Sequence, residues 1–387
     1  MRQKVSSWLR RSRRGGAAGD SSLRRLHERF GGSLWLLSIV ITVLAVMVVM
    51  IVVPRATGPA SPSSTLVVAS LPFWNIANGS ETALRHRDTV NEVSPWMYGL
   101  SADSKIVHQY PPEREAEVTT HINQLRQAGV PIVPSLANIT DGLWQYEPVA
   151  RILHDPQLME QHIDEIVDLV NRENYAGIDI DYENLKAGDR QAFTEFITKL
   201  GKELDAHDKI LSVAVFAKET DEGYDERNVA QDYAALGKVA DQVRLMAYDR
   251  HWATSPPGPT APIDWVRSVV EYAKSEIPPE RVVLGVPLYG YDWVGNRATS
   301  VTWLKALQLA EEHNVRPNYD TKSQTPWFRY TDDQGREHEA WFENSASSKA
   351  KFEVARGSGI RGVYLWMYGY EDTKTWEELK RSLPAGS

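Results

Sequence analysis

Ala176-Gly177-Ile178-Asp179-Ile180-Asp181-Tyr182-Glu183-Asn184 decides both the fold and the site. The stretch alternates. On a strand, side chains have period two, so Ile178, Ile180 and Tyr182 point one way and Asp179, Asp181 and Glu183 the other. A helix would scatter the three acids around its cylinder, and Gly177 would cost it about 1 kcal/mol. On an exposed sheet face such a column is ordinary. Inside a closed sheet it is expensive unless the charges are paired or used.

Working outward, candidate strands are Leu66–Leu71, Glu92–Tyr98, Pro131–Leu136, Gly177–Tyr182, Ile210–Phe216, Gln242–Tyr248, Arg281–Pro287 and Gly362–Met367. Several are near-continuous Val, Ile and Leu runs, as expected of strands covered on both faces. Helical stripes lie between them. Leu158, Ile163, Ile166, Val167 and Val170 form one. Phe193, Phe196, Ile197, Leu200 and Leu204 form another behind Asp189 as N-cap, and a third runs from Pro262 through Val266, Val269, Val270 and Ala273. Eight strands alternating with helices predict an α/β fold, a (β/α)8 TIM barrel. The connection before the eighth strand is too long for a simple loop. Its helix-like Thr302–His313 and aromatic segments predict a small α+β insertion at about 296–358. A closing helix is expected at Lys374–Leu383.

The N-terminal part reads differently. Residues 1–32 hold nine Lys/Arg and two Asp/Glu (+7), whereas the remainder holds 34 against 49 (−15). An uncharged apolar run follows from Ser33 to Val53, long enough as a helix to cross a bilayer core of about 30 Å. It reads as an uncleaved transmembrane anchor, with a cleaved signal peptide and a buried core helix as the alternatives. The basic flank predicts a cytoplasmic N-terminus and an extracellular domain at the cell membrane. Residues 54–64 read as a Pro/Ser linker and 65–387 as the barrel domain. The acidic bulk argues against a nucleic-acid partner. No cysteine is present, so thiolate chemistry and disulfides are excluded. No metal motif or cofactor signature is found, and neither a metal nor a cofactor is expected.

Barrel active sites lie at the C-terminal strand ends. Glu183 then sits at the mouth, Asp181 one step down and Asp179 deeper. Crowded carboxylates raise one another's pKa, so Glu183 has the profile of a general acid. Other strand ends are aromatic: Phe73-Trp74, Met246-Ala247-Tyr248-Asp249, Tyr289-Gly290-Tyr291-Asp292-Trp293 and Tyr364-Leu365-Trp366-Met367-Tyr368. Aromatic rings with polar tips suit sugars, which present a C–H face and a hydroxyl edge. A glycan cleft is therefore expected. Arg244 shares strand parity with Met246 and Tyr248, which predicts that it points inward and offsets Asp179.

These residues resemble glycoside hydrolase family 18, the chitinase-like family. Its D-G-x-D-x-D-x-E signature is matched by residues 176–183, except that Ala176 replaces the first acid. Its M-x-Y-D is matched by Met246 to Asp249, its eighth-strand tryptophan by Trp366, and its insertion by the long connection. The wording of the later half, including Ala340-Trp341-Phe342-Glu343-Asn344, is similar to the bacterial spore-germination and cortex-lytic branch. The resemblance implies a substrate-assisted retaining hydrolase of N-acetylglucosamine-containing glycans, peptidoglycan or chitin-like. It implies Glu183 as acid, Asp181 orienting the 2-acetamido group, Asp179 supporting Asp181, Tyr248 holding the acetamido oxygen and Trp366 as floor. Asp249, Met246, Tyr289, Trp293, Trp74 and Trp341 are the remaining candidate substrate contacts. Ser135-Leu136-Ala137-Asn138 departs from the usual S-x-G-G. An inactive glycan-binding lectin on the same fold is the alternative function.

Overall fold

The structure, a computed structural model, describes residues 65–383. The expected basic tail, membrane span and linker lie outside these residues. Among the described residues no helix is long and apolar enough to cross a membrane.

Eight parallel strands form the centre: β1 Leu66–Pro72, β2 Glu92–Leu100, β3 Ser135–Ala137, β4 Gly177–Asp181, β5 Ile210–Phe216, β6 Gln242–Met246, β7 Val282–Pro287 and β8 Gly362–Trp366. Each pairs with the next in sequence, and β8 returns to β1 with Leu66 opposite Gly362, closing the barrel. Closure removes the sheet edges. The predicted alternation holds in β4. Ile178 and Ile180 are fully buried toward the helices, and Asp179 and Asp181 face the interior. Inside the barrel, one side is apolar, built from Leu66, Val68, Val283 and Tyr364. The other side is polar and carries the acids.

The first expected stripe is the helix Pro156–Arg172. Asp155 caps it by accepting the Gln157 and Leu158 N–H groups, with Pro156 in the first turn. The second is Arg190–Ala206, but Asp189 does not cap it with its side chain. The chain is already helical at Asp189, so its carboxylate turns back to accept the Lys186 N–H at 2.7 Å. The third helix, Ile263–Glu276, starts behind Pro262. The closing helix is Thr375–Ser382.

The long connection is a five-stranded antiparallel sheet, in the order Arg297–Thr302, Tyr289–Val294, Glu337–Trp341, Thr325–Thr331, Asn318–Asp320, with helix Trp303–Glu312 beside it. Its own small core holds Val301, Ala306, Phe328, Tyr330 and Phe342. The sheet begins at Tyr289, immediately after β7, and not near residue 296, because both arms of the hairpin around Gly295 belong to it. Helix Ser345–Ser358 packs on helices Ile263–Glu276 and Thr375–Ser382 and so belongs to the barrel's outer ring.

Candidate active site

The acid column is held at three depths. At the floor, Asp179 accepts hydrogen bonds from Ser135 Oγ at 2.8 Å and Ser212 Oγ at 2.6 Å. Arg244 points inward, as its parity predicts, with Nη1 3.3 Å from Asp179. Its Nη2 lies 2.6 Å from Glu92 Oε1, and Nη1 donates to Ser94 Oγ at 2.7 Å. Gln242 donates to the other Glu92 oxygen at 2.7 Å. Burial pushes the Glu92 carboxyl up in pKa and Arg244 pulls it back. Sequence reading missed Glu92, although Glu92, Ser94 and Trp96 alternate along β2 in the same way as the acids along β4.

One level up, Asp181 Oδ2 accepts the Trp96 indole N–H at 3.2 Å, while Oδ1 is buried without a partner. Burial lifts the Asp181 pKa to about 7, Asp179 adds to the rise, and Trp96 and Arg244 oppose it. Glu183 lies just beyond the end of β4 and is half-buried. Burial and the neighbouring Asp181 hold its carboxyl well above the ordinary range, which favours a proton at neutral pH. Its backbone is fixed from both sides. Asn138 donates to Glu183 O at 2.7 Å and accepts the Glu183 N–H at 2.8 Å. The unusual Asn138 thus sets the turn that carries Glu183.

Across the barrel, the Tyr248 and Tyr364 hydroxyls are hydrogen-bonded. Gly285 makes room for them, since a Cβ there would lie 2.7 Å from the Tyr364 ring and 3.0 Å from that of Tyr248. Strand β6 stops at Met246, short of the expected Tyr248, and the chain turns at Asp249 with φ 57°. Asp249 accepts from the Tyr289 hydroxyl at 2.6 Å and from Tyr291 at 3.0 Å. Burial raises its pKa and those two hydrogen bonds oppose the rise.

Asp179, Asp181, Glu183, Met246, Tyr248, Asp249 and Trp366 all line one cleft of about 740 Å³. The other expected contacts fall elsewhere. Tyr289 is buried behind Asp249. Trp293 is 1% exposed and donates its N–H to Ser255 O, so it supports a loop. Trp341 stacks on Trp327 and lines a neighbouring cavity. Trp74 stands on the rim, 40% exposed and edge-on to Trp96. Tyr364, part of the aromatic end of β8, also lines the cleft, as do Trp96, Trp144, Trp252 and Trp265, which the sequence reading does not single out. Trp96 alone had a clear signal, the β2 alternation.

A closed parallel barrel with stacked carboxylates and tryptophans at its C-terminal mouth defines a glycosidase-like protein. The profile of glycosyl hydrolases family 18 matches residues 72–371. The chain belongs to that family, and is a glycosidase. It is 29% identical over 305 residues to the cortical fragment-lytic enzyme of Bacillus subtilis, covering 77% of this chain and 70% of that one. A chitinase from Chromobacterium violaceum superposes with a TM-score of 0.77 at 26% identity, over 84% of this chain and 100% of the other. The Bacillus cereus spore cortex-lytic enzyme SleL superposes at 0.75 and 26% identity, over 83% of this chain and 75% of that one.

Proposed function

We propose that the protein is a membrane-anchored retaining hydrolase of N-acetylglucosamine-containing glycans, with peptidoglycan as substrate. The observation that carries the reading is Glu183: half-buried at the cleft mouth, in no ion pair among the described residues, and directly above Asp181. Glu183 gives its proton to the glycosidic oxygen as the C1–O bond breaks. The carbonyl oxygen of the sugar's 2-acetamido group attacks C1 and forms an oxazolinium ring. Asp181 accepts the acetamido N–H and balances the positive charge, Tyr248 donates to the acetamido oxygen, and Trp366 lies under the sugar. Water then attacks C1, Glu183 takes its proton, and the ring opens with retained configuration. Likeness to cortex-lytic enzymes favours peptidoglycan over chitin. The run at 33–53 anchors the chain, with the basic tail in the cytoplasm and the barrel outside the cell.

The test is release of reducing ends from purified peptidoglycan and from chitin oligomers by the full chain, beside Glu183→Gln. Wild type cleaves peptidoglycan, and the variant loses at least about a hundredfold, as expected for a general acid–base group. Equal binding by both proteins with cleavage by neither would establish the lectin alternative instead.

A further inference from the structure

A second cavity of about 420 Å³ adjoins the cleft, and Arg250 and Trp265 line both. Its walls come from four parts of the chain, one of them the loop after β5, which supplies Glu219. The loop after β6 supplies Arg250 and His251, the start of helix Ile263–Glu276 supplies Asp264 and Trp265, and the inserted sheet supplies Lys322 and Trp341. These walls are tied together. The Ile263 N–H donates to Ser323 O at 3.1 Å, joining the helix to the insertion, and the Arg250 N–H donates to Thr260 O at 2.9 Å. Asp320 Oδ1 accepts the Lys322 and Ser323 N–H groups at 2.8 and 2.9 Å and fixes that turn. The cavity is therefore preformed and of ligand-binding size.

Its charges are unspent. Neither Arg250 nor Lys322 forms an ion pair among the described residues; the Arg250 guanidinium only faces the Trp265 ring at 5.9 Å. The Glu219 carboxylate in the same wall also forms no ion pair among the described residues. Asp264 and Asp320 are already engaged by backbone N–H groups. Outside its first 32 residues the chain is strongly acidic, so two free cations beside the cleft run against the prevailing charge. An uncharged sugar would make no use of them. A peptide bearing carboxylates and an amine would, with carboxylates on Arg250 and Lys322 and the ammonium on Glu219.

We propose that this cavity seats the peptide stem carried on alternate sugars of peptidoglycan, so that the protein selects peptide-substituted strands over bare glycan. The proposal rests on the peptidoglycan reading of the main cleft. The test is calorimetric titration of the full-chain Glu183→Gln variant with an N-acetylglucosamine–N-acetylmuramic acid tetrasaccharide, with and without its peptides. The peptides are expected to tighten binding roughly tenfold, and adding Lys322→Ala to remove about threefold to fivefold of that, the order of one charge pair at an exposed site. The bare tetrasaccharide should bind both proteins equally, because Lys322 lies outside the cleft. Equal affinity for the two ligands, equal loss on both, or no binding of the peptide-bearing one would overturn the proposal. Failure of the wild type to cleave either glycan would instead defeat the hydrolase reading, and the affinity comparison would still decide the cavity.

Discussion

The floor and the mouth of the barrel solve the burial of charge in opposite ways. At the floor, Arg244 pairs with both Glu92 and Asp179, and Ser94, Ser135, Ser212 and Gln242 supply further hydrogen bonds to the three. At the mouth, among the described residues, Asp181 has one oxygen without a hydrogen-bond partner and Glu183 has no ion pair. A buried unpaired carboxylate is costly, and the usual escape is to hold a proton. The difference separates a structural use of charge from a chemical one. The floor fixes where the column stands, and the mouth keeps a proton available.

The sharpest way to break this contrast is Asp181→Asn. It removes the group proposed to balance the developing positive charge, and kcat should fall about a hundredfold to a thousandfold. Stability should move the other way. The folded-state pKa of Asp181 is raised to about 7. Ionising it therefore works against the fold as pH rises from near its ordinary value toward 7, and the penalty is complete above that. Asparagine has no such penalty. Urea unfolding at pH 8 should show the variant more stable, by at most about 4 kcal/mol, with the gain vanishing below pH 4. A variant that is no more stable at pH 8 would mean the mouth carries no strain from charge.

The floor is tested by Arg244→Met. Removing the cation leaves Glu92 and Asp179 facing each other, at a cost of about 3–5 kcal/mol. Arg244 also restrains the rise at Asp181, so the acid limb of kcat/KM should move to higher pH. Adding Glu92→Gln should recover much of the stability without restoring the acid limb. If both properties recovered together, the floor and the mouth would be one unit.

How much of this was legible in sequence follows from the same contrast. The eight strands announce themselves because each is apolar on its helix-facing side. The third was the least regular, since Pro134 cannot donate to the ladder and pairing becomes continuous only at Ser135. The acid column was legible because period two survives along one strand. Arg244 was legible for the same reason. Glu92 and Trp96 carried the same signal on a neighbouring strand, but only closure of the barrel brings them to Asp179 and Asp181. Trp293 misled because β7 ends at Pro287 and the chain passes at once into an antiparallel sheet, where the strand-end rule no longer applies. Trp144 sits in a two-residue strand, too short for any period to show.

The smallest expected effect sharpens the comparison from outside. Trp74, on the exposed rim, meets Trp96 edge-on at 5.5 Å between centroids, and Trp96 in turn lies 6.2 Å from Trp366. The rings run from solvent into the cleft, and of the three it is Trp96 that hydrogen-bonds an acid of the column. Trp74→Ala removes a sugar-facing surface and one aromatic contact, worth about 0.5–1.5 kcal/mol. Because the loss is felt equally by ground and transition states, KM should rise about twofold to tenfold with kcat unchanged. The effect should be confined to glycans long enough to reach the rim. Trp96→Phe should differ in kind, because it takes the N–H from Asp181 Oδ2. That raises the Asp181 pKa further and moves the acid limb upward, a response that Trp74→Ala should not share. A pH shift in the Trp74 variant would mean that the rim and the column are coupled through the indole of Trp96.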